Sequence, residues 1–152
     1  MLIQLLEHAT NHVHKRYLQS EETTLHKLNN IETTENIFAH FKKFISLSGD
    51  LKSKLSKRKK PIVFRKGELI LGANNISKKS YFINKGILRT YFIRDGKEIS
   101  EYFSGMDDWV NSPKSFTQRE KDIYYIDAIE NTEAYFIDVN GLVYLFDNFP
   151  EM

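Results

Sequence analysis

Three aspartates, Asp107, Asp108 and Asp122, fall within one connection, SGMDDWVNSPKSFTQREKD, residues 104–122. Clustered carboxylates can move protons or hold a cation, but sequence spacing alone does not bring Asp122 to the other two. The five histidines, His8, His12, His14, His26 and His40, all come early in the chain. His8 and His12 are four apart on a predicted helix and could share one metal. No third ligand is specified, so ordinary surface histidines are the preferred reading and no metal or cofactor is expected. There is no cysteine, which removes disulfides, thiolate ligands and a thiol nucleophile. No G-x-S-x-G, P-loop or dinucleotide fingerprint is present, and the chain does not read as an enzyme.

Two basic features need weighing. Arg89 interrupts the apolar run ILRTYFIR. It would either aim its charge at an anion in a cavity or lie at a rim with its stem over apolar surface, and the second reading is preferred. Lys52–Lys60, KSKLSKRKK, places six basic residues in nine. Phosphate backbone or an anionic membrane would suit it, but a solvated helix face explains it more simply. The run has no interleaved aromatics for stacking on single strands.

The elements that must position these residues follow from the hydrophobic pattern. The 152 residues suit one domain with a helical appendage. Leu2, Leu5, Leu6, Ala9, Val13 and Tyr17 form a helical stripe over 2–18. A second helix is predicted over 34–48, capped by Thr34, with Gly49 as its stop. Leu51 and Leu55 suggest one short helix more. From Pro61 to Phe103, short runs of β-formers are cut by Lys66-Gly67, Leu71-Gly72, Lys85-Gly86 and Asp95-Gly96. That rhythm predicts an antiparallel sandwich or barrel. The expected strands are 62–65, 68–71, 80–84, 87–94, 97–103, 123–130 and 133–138, with 87–94 buried on both faces. A short helix over 139–146, apolar all round, closes the chain. Between the fifth and sixth strands lies the carboxylate-bearing connection, which has no clear period; long connections in compact domains are often functional.

Charge divides unevenly. Residues 1–60 carry 11 Lys/Arg against 6 Asp/Glu, a net +5, and residues 61–152 carry 11 against 14, a net −3. The mildly acidic β-region argues against a nucleic-acid surface there. No run approaches a membrane span, and the N-terminus lacks the basic start of a secretory signal. A soluble cytoplasmic protein without a membrane partner is the expectation.

The segments Lys66-Gly67-Glu68, Tyr81-Phe82-Ile83-Asn84-Lys85-Gly86 and Ala128-Ile129-Glu130-Asn131-Thr132-Glu133 together carry a family resemblance. From about Phe38 to Pro150 the chain resembles the cyclic-nucleotide-binding domain of the catabolite-activator and fumarate-nitrate-reductase regulator (Crp/Fnr) superfamily. It looks most like those of Bacteroidetes-type bacteria. The resemblance implies a mainly β fold, an eight-stranded double-stranded β-helix (jelly roll) with flanking helices. That domain would occupy 34–152, after an N-terminal helical extension over 1–33. Members sense a small ligand in the β-roll and signal through a dimer helix to a DNA-binding helix-turn-helix. Here Met152 falls about where the dimer helix would begin, so DNA contact is expected only through a domain outside this chain, and a homodimer is a candidate assembly.

In members that bind cyclic nucleotides, a Gly-Glu pair opens the phosphate cassette and an Arg followed by a small residue closes it. Here the opening reads Gly105-Met106-Asp107-Asp108, and alignment back from Ala128-Ile129-Glu130 puts Asp122 at the Arg position and Tyr124 at the small one. A carboxylate ~5 Å from a phosphate, at an effective dielectric near 20, repels by roughly 3 kcal/mol, and the lost Arg attraction is of similar size. Their sum, about 6 kcal/mol, is about four decades of affinity, so neither cyclic AMP nor cyclic GMP should bind. An unidentified small effector, neutral or cationic, would meet Gly105, Asp107, Ser112, Ser115, Asp122 and Tyr124, with Arg89 as a further candidate. The leading reading is a non-enzymatic sensor domain of a transcription regulator. Its rivals are a dimerisation module without a ligand and a cupin-like enzyme. The last is disfavoured because the strands offer no histidine.

Overall fold

The computed structural model describes residues 36–152. The predicted 2–18 helix, the extension over 1–33 and His8, His12, His14 and His26 lie outside the described residues. Helix α1 is described over 36–42, and α2 spans Gly49–Arg58. Eight strands follow: β1 (Lys60–Phe64), β2 (Leu69–Leu71), β3 (Lys79–Lys85), β4 (Leu88–Arg94), β5 (Lys97–Ser104), β6 (Trp109–Val110), β7 (Tyr125–Ala128) and β8 (Thr132–Asp138). Helix α3 (Pro113–Gln118) sits between β6 and β7, and α4 (Val139–Asn148) follows β8.

The strands form two four-stranded antiparallel sheets, β1-β8-β3-β6 and β2-β7-β4-β5, as the jelly-roll expectation requires. Alternating side chains from both sheets meet in the core between them: Phe64, Tyr81, Ile83, Leu88, Val110, Ile126, Ala128 and Ala134. A second cluster packs helices on the first sheet, joining Leu51 and Leu55 of α2 to Ile137 of β8 and Leu145 of α4. Strand β3 lies between the two cores and is buried over five successive residues.

The structure corrects several boundaries. Residue 49 does not stop the first helix. Ser48 caps α2, accepting from the Leu51 amide at 3.1 Å, and Gly49 is the first residue of that helix. Both-face burial belongs to β3 rather than 87–94, because beyond Tyr91 β4 leaves β7 and pairs with β5 alone, and Ile93 is 51% exposed. There Asp95 and Gly96, both with positive φ, close a two-residue turn between paired Arg94 and Lys97, the geometry whose twist suits a tight hairpin. The long connection, which shows no clear period in the sequence, contains β6 and α3. Helix α4, capped by Asp138 onto the Gly141 amide at 2.7 Å, buries Leu145 but exposes Val143 and Phe146, so it is not buried all round.

The basic run is more than a wet face. The Arg58 guanidinium lies 3.5 Å from the centre of the Tyr144 ring, and the Lys59 ammonium 3.7 Å from that of Tyr135. These cation–ring contacts fasten the exit of α2 to α4 and β8. The aromatics were absent from the run itself because they arrive from elements more than seventy residues away.

Candidate ligand-binding site

The connection between β5 and β7 is built from the turn upward. At its start the Gly105 amide donates to Asp108 Oδ2 at 2.9 Å, and the Asp108 amide donates to the Gly105 carbonyl at 3.1 Å. The Asp107 amide donates to the Ile83 carbonyl at 2.9 Å, and the Ile83 amide to the Asp108 carbonyl at 3.0 Å. Gly105 and Asp107 thus belong to a turn pinned to β3, with Asp107 at φ 70°. Strand β6 then pairs Trp109 and Val110 with Phe82 and Tyr81. Asn111 Nδ2 donates to Ser80 Oγ at 3.0 Å.

Proline at the start of α3 is expected, since its missing amide would have no partner there. Ser112 precedes it in the capping position, yet its side chain caps nothing. The fully buried Ser112 hydroxyl donates instead to Asp122 Oδ2 at 2.6 Å, across the whole of α3. The Asp122 carbonyl accepts from the Asn74 amide at 2.7 Å, and its Oδ1 from the Ile123 amide at 2.8 Å. Ser115 is equally buried, and its Oγ accepts from the Ser77 amide at 2.8 Å, tying α3 to the loop before β3.

These ties shape a cavity of about 520 Å³, within the range of small-molecule sites. Tyr102, Phe103 and Tyr124 supply aromatic wall; Thr90, Asn111 and Ser112 supply polar groups; Asp108, Asp122 and Lys114 supply charge. Tyr124 stands edge-on to Phe92, with centroids 6.1 Å apart. A hydrogen bond to Glu101, helped by partial burial and nearby negative charge, pushes the Tyr124 phenol up to about 12.

Of the seven residues proposed from sequence, the cavity takes Ser112, Asp122 and Tyr124 into its lining, and not Gly105, Asp107, Ser115 or Arg89. Arg89 occupies the outer face of its sheet, bound to Asp127 and Glu98 and lying over the Tyr91 ring. Sequence reasoning missed Thr90, Tyr102, Phe103, Asn111 and Lys114. Strand alternation could have supplied Thr90, whose neighbours Leu88 and Ile126 face the core. Among the described residues, no three His, Asp or Glu side chains gather as metal ligands.

No protein-family model matches the chain, and no curated protein does. Solved structures do. The catabolite activator protein of Thermus thermophilus superposes with a TM-score of 0.62 at 16% identity, covering 70% of this chain and 50% of that one. The regulatory domain of Toxoplasma gondii PKA, crystallised with cAMP, gives 0.62 at 10% identity, covering 78% and 47%. A cyclic nucleotide-binding-like protein from Brucella abortus gives 0.57 at 13%, covering 80% and 95%. The fold is that of a cyclic-nucleotide-binding domain. At these identities the likeness is one of fold, and the matched region spans half the length of the Thermus activator. Within this cyclic-nucleotide-binding fold, the cavity lies between β6, α3 and the second sheet. Among the described residues lining it, Lys114 is the cation, its ammonium 3.2 Å from Glu120. No helix among the described residues is long and apolar enough to cross a membrane.

Proposed function

We propose that this chain is a non-enzymatic sensory domain of a Crp/Fnr-type transcription regulator, of the Bacteroidetes kind, working in the cytoplasm. Its cavity takes neither cyclic AMP nor cyclic GMP. The observation that carries this reading is the charge of the cavity wall. Asp122 and Asp108 line it, no arginine does among the described residues, and Lys114 is engaged with Glu120. A cyclic phosphate would therefore be desolvated against carboxylates without a bidentate partner. The regulatory domains that share the fold support a signalling role. DNA would be reached through a segment other than this domain.

Titration calorimetry with each cyclic nucleotide tests the reading. The expected outcome is no saturable heat at about 100 μM, and a low-micromolar constant for either nucleotide would overturn it. A second reading, an interaction module acting through a homodimer, is favoured by the exposed apolar side chains Ile99, Tyr102 and Phe103 on edge strand β5. Sedimentation across a concentration series separates the two, because that reading requires a dimer in the absence of any ligand.

A further inference from the structure

The same wall that turns a phosphate away has the composition of a receptor for an organic cation. A carboxylate has about four acceptor positions. Asp122 uses one for the buried Ser112 hydroxyl and one for the Ile123 amide. The Asn74 amide holds its backbone. The carboxylate is therefore fixed in place, with acceptor capacity remaining at a cavity it lines. The aromatic residues Tyr102, Phe103 and Tyr124 line the same cavity, as does Trp109, whose ring packs against Phe41 and Phe82. Tyr102 and Phe103 are 61% and 64% exposed, so their surfaces are largely uncovered and available to a ligand. Ring faces attract cations, most strongly where several rings and a carboxylate surround one ammonium group.

We propose that the cavity binds an organic ammonium ion, with Asp122 as its counter-ion and Tyr102, Phe103 and Tyr124 as its aromatic walls. The inference rests on the sensory reading above and names the ligand class of that site. Lys114 also lines the cavity, but its ammonium is paired with Glu120 at 3.2 Å, which offsets its charge. The neighbouring Asp108 adds further negative charge, although one of its oxygens already accepts from Gly105. An apolar body attached to the ammonium would fill the remainder of the volume against Val110 and Pro113.

The test uses the full chain and two probes, choline and benzyltrimethylammonium, with 3,3-dimethylbutan-1-ol as the uncharged counterpart of choline. Calorimetry is expected to show saturable binding of at least one cation with a constant below about 1 mM, and about tenfold weaker binding of the alcohol. Asp122→Asn should weaken the cation about tenfold while leaving the alcohol unchanged. Tyr102→Leu, at an exposed rim position that does not threaten folding, should weaken it about threefold. No saturation by either cation at about 10 mM, equal binding of cation and alcohol, or full affinity in Tyr102→Leu would each overturn the proposal. Failure of both cations leaves the sensory reading standing, since that reading is tested by the cyclic-nucleotide titration and the sedimentation series and not by these cations.

Discussion

The Arg89 guanidinium grips both carboxylate oxygens of Asp127, Nε to Oδ1 at 3.0 Å and Nη2 to Oδ2 at 2.6 Å, across the β4–β7 pairing. The register sets the two residues directly opposite, so their side chains rise from the same face. Both are mostly buried, at 18% and 15% exposure. The pair raises the already high affinity of Arg89 for its proton, with the Asp127 hydrogen bond as the first cause. Glu98 adds a 3.0 Å contact from the hairpin but is itself 54% exposed. Removing one partner strands the other charge. Arg89→Met should therefore cost about 2–3 kcal/mol in urea unfolding, whereas Glu98→Gln should stay within about 0.5 kcal/mol. Adding Asp127→Asn to Arg89→Met should restore part of the loss, because no unpaired charge then remains.

The contrast between Arg89 and the glycine turns shows what the sequence could disclose. Asp95-Gly96 marks its hairpin because the turn needs two positive φ angles, a purely local demand. Strand alternation is equally local, and seven of the eight strands were expected near their observed places. Strand β6 has two residues, too few to show a period. Helix α3 has six residues, too few to show a helical period, and only Ser112-Pro113 at its start marks it. Arg89 finds its partner 38 residues away, and that distance is crossed only by strand order. The resemblance to nucleotide sensors pointed to Asp122 and Tyr124, which line the cavity. The aromatic wall from β5 reads in the sequence only as strand, because nothing local separates a core-facing ring from a cavity-facing one.

Gly86 tests how tightly the β3–β4 turn is packed. Its φ is +99°, and a Cβ there would meet the Thr132 side chain along with backbone atoms of Asn131 and Thr132 at 2.7 Å. Thr132 is fully buried, and its hydroxyl donates within the facing β7–β8 connection to the Glu130 carbonyl at 3.0 Å. Two of the obstacles are backbone, so no rotamer change relieves them. Gly86→Ala should lose about 3 kcal/mol or more through combined strain and overlap. A Thr132→Ser background should leave that loss nearly intact, since the backbone contacts remain. A Gly86→Ala midpoint in urea equal to the parent's would contradict this account of the turn.

Tyr124 gives the site a spectroscopic signature at alkaline pH. The neutral phenol donates to Glu101, so ionisation in the folded protein requires breaking that bond beside negative charge, and the phenol is pushed up to about 12. In the unfolded chain it ionises near its usual value of about 10. The folded state thus favours the protonated form. Its contribution to stability is complete below about pH 10 and is lost as pH rises toward about 12, because only the unfolded state gains from ionising there. Burial also delays Tyr81, and burial with nearby carboxylates delays Tyr91, so the measurement must be a difference. The phenolate absorbance of the parent minus that of Tyr124→Phe should titrate near the raised value. Glu101→Gln should move that difference back toward the ordinary tyrosine range, since the amide carries no charge to oppose the phenolate. A difference titration already centred near pH 10 in the parent would show that Glu101 does not hold this phenol.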